Sequence, residues 1–319
     1  MNIMFWKSPR GNFGDDINEW IWDLLLPGHR DWRDDVTLVG VGSLMGFDLP
    51  EGRKLIVGTG SGYGQLPELT PREHWDIRCV RGPRTAEGLG LPRSLGVGDP
   101  VSVLARRPEF TGIEKTGDIL FVPHWHSATH PDFDWETVAA RAGLAYQSPC
   151  DDAQAVVRRI ASARLVLTES LHGAIVADAF RVPWIPVRTT MALFKEFKWA
   201  DWADTLDLTL EIHNIFAPLD AARTLLRRSN GGSQGSSRRA PRARRPDGSL
   251  SPKARLAEAL RVAVAVRMLR TIAHRRRPVL SSDAAHARQL DRFEAILDGV
   301  VRDYARRPPA SLDVRIGRA

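Results

Sequence analysis

RLVLTESLHGAIVADAFRVPWIPVR, residues 164–188, opens with the apolar run Leu165-Val166-Leu167 and turns polar at Thr168-Glu169-Ser170. It then continues through Leu171-His172-Gly173 into the apolar stretch Ala174–Ala177, and Val182-Pro183-Trp184 starts a second apolar run. An apolar run without alternation, followed by a helical stretch and another such run, predicts a strand–helix–strand unit of a parallel sheet covered on both faces. In such sheets the carboxyl ends of the strands are where ligands bind. His172 falls at that edge, three residues after Glu169. Two readings stand side by side: a capping histidine satisfied by a nearby carbonyl, or a residue that handles phosphate or a proton. Ser170 is not read as a nucleophile, because the G-x-S-x-G elbow is absent.

Moving outward, the same grammar repeats. Upstream, NIMFW (2–6), VTLVGVGS (36–43), RKLIVGTGSGYG (53–64), WDIRCVRG (75–82) and RSLGVGDP (93–100) read as strands that exit into glycine-rich or polar turns. A second round begins with DILFVPHWHS (118–127), followed by helical DWETVAARAGL (134–144) and DDAQAVVRRIASA (151–163). Strands alternating with helices predict an α/β fold of two Rossmann-like domains facing a cleft. The expected divisions are 1–110, 111–228 with the Leu-His-Gly segment, a disordered Gly/Ser/Pro/Arg linker at 229–252, and a basic amphipathic helical extension at 253–319. In that extension Leu256, Leu260, Val264 and Met268 recur in fours.

Charge divides the chain as sharply as pattern does. Residues 1–220 hold 22 Lys and Arg against 30 Asp and Glu, a net −8; residues 221–319 hold 23 against 8, a net +15. An acidic body with a basic C-terminal third points to contact with an anionic surface. The basic segments lack interleaved aromatics for base stacking, so a membrane surface is favoured over nucleic acid, and a helix that packs back on the body with its arginines solvated stands equally beside the membrane reading. Two cysteines, Cys79 and Cys150, exclude a disulfide framework and suggest a reducing compartment. The N-terminus shows no signal-peptide pattern, and no apolar run is long enough to span a bilayer, so a cytoplasmic protein is expected.

Candidate site residues lie at the strand exits. GNFGDD (11–16) precedes a helix; its glycines permit close approach, while Asp15 and Asp16 would repel phosphate and suit sugar hydroxyls. Asn12, Gly14 and Asp15 are therefore expected to meet a hydroxylated acceptor, with capping of the helix as the plainer alternative. VGVGSLMG (39–46) and VGTGSGYG (57–64) do not match the dinucleotide fingerprint, and no Walker A motif occurs. Arg81 and Arg84 in VRGPRTA form a fork suited to carboxylate or phosphate, or else pair on the surface. His124, His126 and His130 lack the carboxylate or cysteine partners of a persuasive metal site, so no metal is expected and His124 is read as a substrate contact.

GNFGDDIN, the Gly-Ser strand exit, VRGPRTAEGLG, GDPVSVLA and ESLHGAIVADAFRVPWIPV, in this order over residues 5–190, resemble the polysaccharide pyruvyl transferases, especially those of succinoglycan-type exopolysaccharide pathways. The resemblance does not cover residues 229–319. The resemblance implies a glycosyltransferase-B-like pair of domains. It also implies transfer of the enolpyruvyl group of phosphoenolpyruvate onto two hydroxyls of a sugar, giving a cyclic ketal and phosphate without a cofactor. On this reading Arg81 and Arg84 bind the donor together with Ser170, Leu171 and Arg188. His172 is the acid that protonates the donor methylene, or the imidazolium that binds its phosphate, and Glu169 orients it or accepts the acceptor's proton. Many relatives have arginine where this chain has Ser170, a missing cation that Arg188 or His124 is expected to replace. The implied acceptor is a lipid-linked oligosaccharide at the inner face of the cytoplasmic membrane. Two other functions compete: a nucleotide-sugar glycosyltransferase on the same fold, and a non-catalytic member that binds glycan.

Overall fold

The computed structural model describes residues 1–131, 133–189, 194–216, 218–219 and 251–305. Its strands form two all-parallel sheets. The first contains β1 (Asn2–Met4), β2 (Val36–Val39), β3 (Arg53–Val57) and β4 (Trp75–Cys79), side by side in chain order. The second contains β5 (Ile119–Val122), β6 (Ala145–Tyr146), β7 (Leu165–Thr168), β8 (Trp184–Arg188) and β9 (His213–Asn214), in the order β6-β5-β7-β8-β9. Strand order reverses between β5 and β7, since the chain leaves β5 toward one edge and returns to build toward the other. In doubly wound sheets that reversal opens a crevice at the strands' carboxyl ends. The loops leaving β5 and β7 carry His124 and Ser170.

Among the described residues the α-helices in chain order are α1 (Phe13–Asp16), α2 (Ile21–Leu25), α3 (Pro83–Gly88), α4 (Trp125–Ala128), α5 (Trp135–Ala142), α6 (Ala153–Ser162), α7 (Leu171–Ala179), α8 (Glu196–Ala203), α9 (Pro252–Arg275) and α10 (Asp283–Tyr304). As the apolar run predicts, all four residues of β7 are buried. In α7 every residue is buried except His172. A helix without a solvated face packs on several sides at once. This one lies against α6 and against the 3-10 helix Pro100–Arg106 of the first unit. One apolar cluster consequently runs through both units, joining Phe13, Ile17 and Trp22 to Val157, Ile160, Ala174 and Ile175.

Some expectations need correction. RSLGVGDP is not a strand: it forms a 3-10 turn at Arg93–Leu95 and one isolated parallel bridge between Val80 and Gly96. Its three glycine or proline residues after Leu95 leave little side chain to hold a ladder. Of the two readings left open for the C-terminal helices, packing on the body is the one seen for much of both. In α9 the buried residues are Ala265, Leu269 and Ile272, whereas Leu256 and Leu260 are 74% and 54% exposed. A strict spacing of four drifts about 40° per step around a helix of 3.6 residues per turn, so the expected stripe cannot stay on one face. Helix α10 returns to the first sheet, burying Phe293, Leu297, Val300 and Tyr304 in the shared cluster. Most of the expected linker, residues 229–250, lies outside the described residues.

Candidate active site

A cavity of about 240 Å³ opens where the carboxyl ends of both sheets meet. The first unit lines it with Trp6, Asn12, Asp15, Ser43, Leu44, Phe47, Tyr63 and Arg81, and the second with His124, Trp125, His126, Ser170, Leu171, His172 and Lys198. Each lining segment follows a strand or begins a helix, as expected of parallel sheets. Aromatic rings gather here: Trp6 and Trp125 come from different units with centroids 5.5 Å apart, and Phe47 meets Tyr63 edge-on at 6.1 Å. Such rings offer flat apolar faces with room for polar partners beside them.

The turn that places His172 is built by its own side chains. Thr168 Oγ1 accepts from Ser170 N at 2.9 Å, and Ser170 Oγ caps α7 by accepting from Gly173 N at 3.3 Å. His172 therefore leaves the first turn of α7 with a fixed heading. Its Nε2 stands 3.5 Å from Asp99 Oδ2. Both atoms are buried, and neither has a hydrogen-bond partner. The other Asp99 oxygen accepts from Val101 N at 3.1 Å, capping the 3-10 helix on which α7 packs. On the opposite side of the ring, a Cβ at position 14 would come within 2.1 Å of His172 Nδ1. Gly14 thus makes room for the imidazole; it does not line the cavity.

Asp15 is held by a hydrogen bond from Asn12 Nδ2. Burial raises its carboxyl above the ordinary range, against the pull of His172, Lys198 and the Asn12 hydrogen bond. Burial also pushes His124 down to about 3, helped by Lys198, so this ring is neutral at working pH. Lys198 is pushed down to about 7, by burial first and by Arg81 second. Arg81 is fully buried: Nη1 donates to Gly42 O at 3.2 Å and Ser43 Oγ at 2.9 Å, and Nη2 to Ser61 O at 3.0 Å. It braces the loops after β2 and β3.

The other expected residues sit differently. Arg84 does not join Arg81 in a fork; its guanidinium pairs with Asp204 at 2.8 Å, outside the cavity lining. Arg188 likewise points to Glu196 at 3.1 Å. Glu169 is buried with Oε1 accepting from Thr189 N at 2.8 Å and from Thr189 Oγ1, and Oε2 accepting from His124 N at 3.2 Å. It ties the exits of β5, β7 and β8 together, while the carboxylate beside His172 is Asp99. Sequence reasoning missed Asp99 although GDPVSVLA was in view, and it missed Lys198, which lies beyond the last motif. Among the described residues, no cluster of three or more His, Cys, Asp or Glu side chains is arranged to hold a metal ion.

Comparison with known proteins bears directly on this arrangement. The succinoglycan biosynthesis protein ExoV of Rhizobium meliloti (strain 1021) is 39% identical over 318 residues, an alignment covering 95% of this chain and 100% of that protein. The likeness therefore reaches past residue 228 into the C-terminal helices, farther than the motifs extend. The polysaccharide pyruvyl transferase family model matches residues 9–190, a span that includes Asn12, Asp15, Arg81, Asp99, His124 and His172. The chain belongs to the polysaccharide pyruvyl transferase family.

Proposed function

We propose that the protein pyruvylates a sugar of an exopolysaccharide precursor, taking the enolpyruvyl group from phosphoenolpyruvate and releasing phosphate. The observation that carries this reading is the His172–Asp99 pair: a buried carboxylate oxygen and an imidazole nitrogen 3.5 Å apart, at the edge of a cavity with two cationic side chains. Leaving both groups unpaired is costly, and a proton shared between them removes the cost. His172 protonates the donor methylene, and Asp99 steadies the imidazolium as a positioning residue. The resulting oxocarbenium-like carbon is attacked by a sugar hydroxyl, whose proton passes to Asp15. Phosphate then departs with its bonding electron pair and takes up the proton held by Asp15, and a second hydroxyl closes the ketal and returns its proton to His172; the net products are the ketal and one hydrogen phosphate. The aromatic rings of Trp6 and Trp125 give the sugar a stacking face.

The cavity's size supports this donor over the glycosyltransferase alternative. At about 240 Å³ it is below the roughly 300–1,000 Å³ usual for drug-sized ligands, which suits a three-carbon donor and one sugar face better than a nucleotide sugar. We read the pair of parallel-sheet units as a glycosyltransferase-B-like arrangement working at the inner face of the cytoplasmic membrane. No described helix is long and apolar enough to cross a membrane. Instead, exposed Leu256 and Leu260 on a helix that also carries Lys253 and Arg255 offer a shallow contact for anionic headgroups around a lipid-linked acceptor. Replacing both leucines with Asp should abolish flotation with anionic vesicles; unchanged flotation rejects that contact.

The deciding experiment measures phosphate release from phosphoenolpyruvate with and without a lipid-linked oligosaccharide extract, and looks for a new ketal methyl signal in the glycan. Acceptor-dependent release accompanied by that signal is expected. Release without a ketal, or sugar transfer from a nucleotide donor, would sink the proposal.

A further inference from the structure

An enolpyruvyl donor brings a carboxylate and a phosphoryl group into the cavity, and the cation most visible there is already committed. Arg81 donates to Gly42, Ser43 and Ser61, which leaves little beyond Nε to offer a ligand. Ser170, at the mouth of α7, brings no charge. Lys198 is placed quite differently. Its ammonium lies 3.3 Å from Tyr63 Oη and 4.7 Å from the centre of the Tyr63 ring. No carboxylate of the described residues forms an ion pair with it. It lines the cavity described above and also a smaller adjoining one with His124, Glu169, Leu171 and Trp199.

The architecture holds Lys198 there deliberately rather than leaving it to wander. Three residues further along α8, on the same face, Asp201 is fully buried and caps α3 of the other unit. It accepts from Arg84 N at 2.8 Å, Thr85 N at 2.9 Å and Thr85 Oγ1 at 2.6 Å. Thr85 Oγ1 in turn accepts from Ser61 N at 3.2 Å, so α8, α3 and the loop after β3 are one hydrogen-bonded block. The Lys198 stem crosses this loop at Gly62, where a Cβ would come within 2.6 Å of its Cγ and Cδ. A lysine with a fixed stem, an ammonium that meets Tyr63 and feels Asp15 without an ion pair to it, and a position between two cavities has the makings of an anion site. An ammonium also suits a phosphoryl group, which it meets as a compact charge with three donors.

We propose that Lys198 binds the phosphoryl group of the donor and follows it to the leaving phosphate, supplying the charge that Ser170 lacks. This rests on the donor reading above, and its test separates the two. Inorganic phosphate is titrated into the full-length protein by calorimetry, alongside Lys198→Met and Lys198→Arg, with melting temperatures recorded for each. The methionine variant should bind phosphate at least about tenfold more weakly, while arginine keeps affinity to within about threefold, since both cations can donate to phosphate oxygens. Equal phosphate affinity in wild type and Lys198→Met overturns the proposal, as does a wild type that binds no phosphate. If Lys198→Met loses phosphate and wild type shows no acceptor-dependent release, the anion site stands and the transfer reading falls. In a working enzyme the methionine variant raises KM for phosphoenolpyruvate; a lowered kcat with unchanged KM would place Lys198 outside donor binding.

Discussion

The turn leaving β7 and the turn opening the Pro100–Arg106 helix each bury a carboxylate, and the two are used in opposite ways. Glu169 accepts hydrogen bonds on both oxygens from the exits of β5 and β8. Asp99 uses one oxygen to cap its own helix and leaves the other facing His172 without a formed hydrogen bond. A satisfied buried carboxylate holds a fold together; a half-satisfied one beside an imidazole is available for proton chemistry. The residue three positions before the histidine ties strand exits together, and on the proposed function the residue from a distant turn is the one that serves the chemistry.

Substitution can break this contrast at several depths. The largest effect is expected for His172→Ala, which should cut acceptor-dependent phosphate release by about 10²–10⁴-fold while leaving the melting temperature nearly unchanged. Asp99→Asn retains the cap and should lower kcat by about 10²-fold, within the range for positioned acid–base groups, with a shifted pH–rate profile. Glu169→Gln places an amide against backbone donors and should cost about 1–3 kcal/mol of stability, read as a lower melting temperature. If Glu169→Gln proves the slower enzyme and Asp99→Asn the less stable protein, the contrast is reversed.

Lys198 gives a subtler test that needs no turnover. Its ammonium is disfavoured in the folded state, about 7 against an ordinary 10.5. The resulting cost to stability is fully present below pH 7 and fades as pH rises toward 10.5, because the folded protein sheds the proton first. Lys198→Met should therefore raise the melting temperature at pH 6 and do so progressively less toward pH 10. A pH-independent difference would remove this account. The smallest effect belongs to Arg84→Ala: an exposed pair with Asp204 is worth about 0–1 kcal/mol, and KM for the donor should not move.

How much of this was legible in the chain depends on how local each cause is. The β7–α7 unit was readable because a continuous apolar run and a Ser-capped helix are written within a few neighbouring residues. Arg81 was readable as an important arginine but not as a brace, since its partners Gly42 and Ser61 come from two other loops. Asp99 could be seen to start a turn, yet its approach to His172 exists only because α7 packs on that turn's helix. Lys198 had no local signal at all; its position follows from Asp201 anchoring α8 to another unit's helix. Helix α10 falls inside the stretch expected to be helical, 253–319, whereas where it docks was not legible, because its apolar face does not name its partner.

That docking has a consequence for biosynthesis. Tyr304 donates to Asp76 at 2.6 Å, Asp303 pairs with Arg78 at 2.7 Å, and Asp291 and Glu294 each meet Arg106 at 2.7 Å. Residues 2–79 leave the ribosome long before residues 283–304, so the first sheet must wait with part of its apolar surface uncovered while the second sheet is made. Nascent chains stalled ahead of α10 should be easily digested within the first unit, and should become resistant once residue 304 has emerged.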